Sequence, residues 1–133
     1  GFERLNTLLP LSDVIVLTVP STPQTHHILD GARLARLKPT AIVLNAGRGD
    51  AIDAVALADA LHAGTIRGAG LDVTEPEPLP ADSPLWDEPR CLITPHVAGG
   101  LHLTETGDRI IRIALSNVSR YARRQELLNL VRR

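Results

Sequence analysis

Three residues of this sequence carry complementary chemistry: Arg48 in NAGRGD at 45–50, Glu77 in LDVTEPEP at 71–78, and His96 in TPHVAGG at 94–100. A guanidinium fork can grip a carboxylate through two parallel hydrogen bonds and polarise the carbonyl beside it. An imidazole, with an unperturbed pKa of about 6.5, gives and takes a proton near neutrality. A carboxylate can hold that imidazole in place. Together the three suit interconversion of a 2-hydroxy acid and a 2-keto acid. Each also has a plainer reading. Single arginines are common in turns, lone histidines are more often structural, and Glu75 and Glu77 sit in a proline-rich loop where both could be solvated.

The remaining polar candidates read more simply. His26, His27, His62 and His102 are assigned to structural roles, and neither His26 with His27 nor Cys91 with His96 matches a recognised metal-ligand spacing. Asp72 closes an apolar run as a turn former or a polar anchor for an amide-bearing ligand. Asp50 and Asp53 read as helix-entry groups. Cys91 is the only cysteine, which excludes an internal disulfide and suits a reducing cytosol.

The elements that must position these residues follow from the apolar pattern. DVIVLTVP at 13–20, AIVLNA at 41–46, GAGLDV at 68–73 and CLIT at 91–94 read as buried strands. Asp30 caps a short helix carrying Leu34 and Leu37 and ended by Lys38 and Pro39; Asp53 caps a second, with Leu57 and Leu61 on one face and Gly64 as its stop. The stretch 74–89 has no helical period. From about Leu103 to Arg124, Ile110, Ile111, Ala114, Leu115, Val118 and Ala122 recur at helical spacing and predict one long amphipathic helix. Alternating strands and helices imply an α/β fold with a parallel sheet covered on both faces. Arg48, Glu77 and His96 then emerge at one sheet edge, where open α/β sheets place their chemistry.

Composition narrows the function classes. A net charge of −1 argues against a general nucleic-acid surface, and the basic residues Arg120, Arg123, Arg124, Arg132 and Arg133 read as helix-end solvation. No apolar run approaches the roughly 20 residues of a membrane span. The 133 residues contain no methionine, and GFERLNTLLPLSD has no signal-peptide pattern, so the chain reads as a piece of something longer.

These motifs, in this order and at these separations, resemble the C-terminal part of the D-isomer-specific 2-hydroxyacid dehydrogenases, the family of D-lactate, D-3-phosphoglycerate and glyoxylate/hydroxypyruvate enzymes. The resemblance runs from SDVIVLTVPSTPQTHHIL to ELLNLV. It implies an α/β, Rossmann-like parallel sheet: the second half of a coenzyme-binding domain across 1–133, with a long C-terminal helix and 100–133 leading back toward a substrate domain. It implies Arg48 as the carboxylate-binding residue, His96 as acid and base, and Glu77, rather than Glu75, as the partner of the histidine. NAD or NADP contacts map to Val19, Pro20, Thr25, Ala46, Gly47, Arg48, Asp72, His96 and Gly99. No metal is implied. The substrate is a small 2-hydroxy or 2-keto acid, the complete protein a cytoplasmic homodimer with no nucleic-acid or membrane partner. A non-catalytic NAD-sensing or scaffold protein of the same fold, as in corepressors related to the family, is the alternative. A formate dehydrogenase is disfavoured, because that pattern has glutamine where this chain has Glu77.

Two departures stand out. A dinucleotide site needs a GxGxxG turn opening a helix, and none precedes Ser12, while Gly64, Gly68 and Gly70 have the wrong spacing. The chain is therefore expected to begin midway through its coenzyme domain. Leu101 also stands where the family often has a polar residue.

Overall fold

The computed structural model describes residues 2–100 and 103–130. The expectations for Leu101, His102, Arg132 and Arg133, and the end of the ELLNLV segment, lie outside those residues. The chain divides into two compact units, Gly1–Ala98 and Gly99–Arg133.

In the first unit four short strands form one parallel sheet: β1 (Val14–Leu17), β2 (Ile42–Asn45), β3 (Gly68–Leu71) and β4 (Cys91–Ile93). Their spatial order is their chain order. Leu17 stands opposite Asn45, Asn45 opposite Leu71, and Leu71 opposite Ile93, so the four strands end in one row. Everything that follows a strand therefore starts from a common edge.

Three helices belong to this unit. α1 (Leu5–Leu8) lies between two 3₁₀ turns in a segment for which the sequence predicted no element. α2 (Gly31–Leu34) is capped by Asp30, whose carboxylate accepts from the Arg33 N–H at 2.9 Å. It stops before the expected Lys38, because Arg36 and Leu37 already bond three residues back, a tighter turn than the α-helix makes. Leu37 is buried all the same. α3 (Ala54–His62) is capped by Asp53, which accepts from the Val55 and Ala56 N–H groups, and ends at Gly64 with φ +71°. Leu9, Leu29, Leu34, Leu57, Leu61, Ile66 and Leu85 are almost completely buried and join Val43, Ala69 and Leu71 of the sheet in one core.

The sheet of this unit is not covered on both faces as the sequence suggested. Val14, Val16, Leu44 and Leu92 leave 38–69% of their surface exposed on the face opposite the core. The reason is topological. When strands are laid down in chain order by right-handed crossovers, every connecting helix falls on the same side.

In the second unit α4 (Thr104–Ala122) matches the predicted long helix. Ile110, Ile111, Leu115 and Val118 are exposed along it, and none of its residues is buried. The chain turns back after it, held where the Asn117 amide donates to the Leu128 carbonyl and accepts from the Leu128 N–H. Arg120 donates to the Glu126 carbonyl at 2.8 Å, so it ties this return rather than only solvating a helix end. No helix among the described residues is long and apolar enough to cross a membrane.

Candidate active site

The segments after β2, β3 and β4 each carry one of the three chemical residues beyond the common row of strand ends. The turn after β2 is built by Asn45. Its buried side chain accepts from the Gly47 N–H at 3.1 Å and donates to the Arg48 carbonyl at 2.9 Å. An asparagine bonding the amide two residues on is a local substitute for a backbone turn. Gly47 lies so close to Val19 that a Cβ there would stand 2.8 Å from its carbonyl oxygen and 2.9 Å from its nitrogen. Only glycine lets the two segments meet. Arg48 is exposed at the end of this turn, with Nη1 donating to the Gly47 carbonyl at 2.7 Å.

The turn after β4 is organised by Asp72. Its Oδ1 accepts from the Thr94 hydroxyl at 2.5 Å and the Val97 N–H at 2.9 Å, and its Oδ2 from the Ala98 N–H at 2.8 Å. These bonds wrap residues 94–98 around one carboxylate and leave His96 at the bend, with φ +54°. That backbone region is uncommon for a residue other than glycine and collects at functional positions when the surroundings enforce it. The Asp72 carboxyl is held below the usual range chiefly by the Thr94 hydrogen bond; burial pushes the other way, and the Ala98 and Val97 amides and the nearby His96 add to the lowering.

His96 and Glu77 are in direct contact: Nδ1 lies 2.8 Å from Oε1, both side chains about half exposed. With Nδ1 engaged, Nε2 is the nitrogen left to exchange a proton. Glu75 is not simply solvated, since its Oε2 lies 3.3 Å from His27 Nε2. Asp50, expected to enter a helix, instead sits in a 3₁₀ turn (Gly49–Ala51); its Oδ2 takes the Ser21 hydroxyl and its Oδ1 is buried without a partner. Cys91 is half buried beside the core, and burial, with the Glu88 charge, pushes its thiol up to about 11.

Of the nine positions assigned to a nicotinamide cofactor, seven fall in two groups at the strand ends. Ala46, Gly47 and Arg48 line the turn after β2, with Val19 and Pro20 beside it. Asp72 follows β3 and His96 follows β4, and the Asp72 carboxylate gathers the turn that carries His96. An open cleft of about 200 Å³ at the strand ends is lined by Leu44, Asn45, Ala46, Gly70, Leu71, Asp72, Leu92 and Thr94. The close approach at Gly47 and the cleft beside Ala46 fit a flat ligand laid across the strand ends. Thr25 faces inward, with its hydroxyl donating to the Pro20 carbonyl at 2.6 Å, so it shapes the loop that carries Val19 and Pro20. Gly99 begins the second unit.

Residues 1–98 match the profile of the D-isomer specific 2-hydroxyacid dehydrogenase, NAD binding domain. The chain belongs to that family. Among its relatives, the glyoxylate/hydroxypyruvate reductase B of Pectobacterium carotovorum is 50% identical over 100 residues, 75% of this chain and 31% of that protein. The reductase B of Enterobacter agglomerans is 46% identical over 114 residues, 86% of this chain and 35% of that one. The chain thus spans about a third of the length of these 2-hydroxyacid dehydrogenases. Of solved structures, a D-isomer specific 2-hydroxyacid dehydrogenase from Xanthobacter autotrophicus Py2, in complex with NADPH and MES, superposes with a TM-score of 0.88 at 37% identity, over 99% of this chain and 53% of that chain. An NADPH-dependent glyoxylate/hydroxypyruvate reductase from Sinorhizobium meliloti, in complex with NADP and sulfate, gives 0.83 at 30% identity, over 96% and 41%.

Proposed function

We propose that this chain supplies the catalytic half of the coenzyme domain of an NAD(P)-dependent 2-hydroxyacid dehydrogenase acting on a small 2-keto acid of the glyoxylate or hydroxypyruvate type. The observation that carries the reading is the His96–Glu77 pair at 2.8 Å, on the same sheet edge that presents Arg48. Arg48 holds the substrate carboxylate and draws electron density from the neighbouring carbonyl. His96 gives the proton from Nε2 to the oxygen as it gains charge, and takes it back in the reverse direction. Glu77 keeps the ring turned for that exchange. A bound nicotinamide would supply the hydride, held by Val19, Pro20, Ala46, Gly47 and Asp72, with Thr25 shaping the loop that carries Val19 and Pro20. Residues 100–133 lead toward a substrate domain, and the complete protein is a cytoplasmic homodimer.

The test is a chimera in which residues 1–98 replace the matching segment of the Pectobacterium carotovorum reductase. It should reduce glyoxylate or hydroxypyruvate with NADH or NADPH. Arg48→Lys in that chimera keeps the charge but loses the planar two-point grip, and kcat/KM should fall by about tenfold or more, the worth of one charge-assisted hydrogen bond. A chimera that folds and binds coenzyme but turns over no 2-keto acid would overturn the reading; unchanged kcat/KM in Arg48→Lys would remove Arg48 from it.

A further inference from the structure

His26, His27 and Glu75 come together outside the proposed catalytic set. Each offers one ligand atom, and the three atoms lie within 4.8 Å of one another. The two histidines belong to the loop after β1, and Glu75 to the loop after β3. Sequence spacing hid the group, because its third member is 48 residues from the second.

We infer that these three side chains form a binding site for a divalent transition cation of the zinc class, which would clip the two loops together. Two imidazoles and one carboxylate match the nitrogen-rich ligand sets of zinc, and poorly suit magnesium or calcium, which take oxygen ligands. Zinc–nitrogen and zinc–oxygen bonds of about 2.0–2.2 Å place the ligand atoms of a tetrahedral site about 3.3–3.5 Å apart. His27 Nε2 and Glu75 Oε2 already stand at 3.3 Å. The His26 ring lies stacked on that of His27, centroids 4.0 Å apart. It is exposed, and its ligand atom lies within 4.8 Å of the other two, a gap that a side-chain rotation would close. Three protein ligands and one water complete four-coordination.

The backbone on both sides is fixed. The His26 N–H donates to the Thr22 carbonyl at 3.0 Å, and the His27 N–H to the Asp50 carbonyl at 2.7 Å. His27 sits at φ +45°, a bend that folds its side chain back against His26. Glu75 is held from the other side, where the Gly49 Cα packs directly on the Thr74 carbonyl and the Glu75 nitrogen. A cation there would therefore join loops already seated on one turn, Gly49–Ala51. This inference does not depend on the proposed reaction.

The test is calorimetric titration of the 133-residue chain with zinc chloride, after circular dichroism has matched each variant to the parent. One saturable equivalent is expected, with magnesium giving none. His26→Ala and Glu75→Gln should each weaken zinc binding about tenfold or more, and His26→Cys, which restores a zinc ligand, should recover it. His62→Ala and His96→Ala should bind as the parent does. Zinc binding that survives His26→Ala, or that is lost with His96→Ala instead, would overturn the site, as would the absence of saturable binding.

Discussion

Two buried polar residues set the positions of the reactive ones. Asn45 closes the turn that carries Arg48, and no isosteric apolar residue can do both jobs. Asn45→Ala leaves the buried Gly47 N–H without its partner and should cost about 1–3 kcal/mol, read as a lower urea midpoint. In the chimera the same change should raise KM for the keto acid more than it lowers kcat, because it loosens the carboxylate grip. Asp72 makes stability depend on pH in a known direction. Its folded pKa lies below its unfolded value of about 3.9, so its contribution is fully present above that value and is lost as pH falls through the lower, folded one. Denaturation followed from pH 5 to pH 2 should show a steeper acid loss for the parent than for Asp72→Asn, and parallel curves would remove Asp72 as a stabilising anion.

At the scale of elements, the strands and α3 were legible because their signals are local: apolar runs, Asp53 as cap and Gly64 as stop. Arg48, Glu77 and His96 could be placed at one edge for the same reason, since parallel strands share a direction. What could not be read was long-range. That Asp72 gathers residues 94–98, or that Glu75 meets His27 rather than water, depends on loops brought together by the sheet. Asn45 could have been found, because Asn two residues before Gly is a turn signal. The tightest such junction is Gly49, where a Cβ would stand 2.0 Å from the Thr74 carbonyl oxygen and 2.7 Å from the Glu75 nitrogen. Both are backbone atoms that cannot swing aside. Gly49→Ala should therefore force the turn and the Glu75–Glu77 loop apart, costing about 1–3 kcal/mol or more and lowering Tm. A wild-type Tm in that variant would contradict this packing.

At the scale of the molecule, the one-sided sheet decides behaviour in solution. Val14, Val16, Leu44 and Leu92 form an apolar strip on the face opposite the core of the first unit, a feature that monomeric soluble proteins rarely expose over a wide area. The isolated chain should bind a hydrophobic dye, and Val16→Lys with Leu92→Lys should reduce that fluorescence while leaving the far-ultraviolet spectrum intact. Equal fluorescence in the variant would show that the strip is covered. The expectation of a two-faced sheet failed here because an apolar strand shows that it is shielded somewhere, not by what. The chain-ordered sheet also bears on how the protein is made. Among the described strands, β2, β3 and β4 each pair with the one that precedes it in sequence, so none of the three needs a segment made after it before it can dock. These four strands can therefore add to the sheet in the order in which they leave the ribosome, β1 to β4.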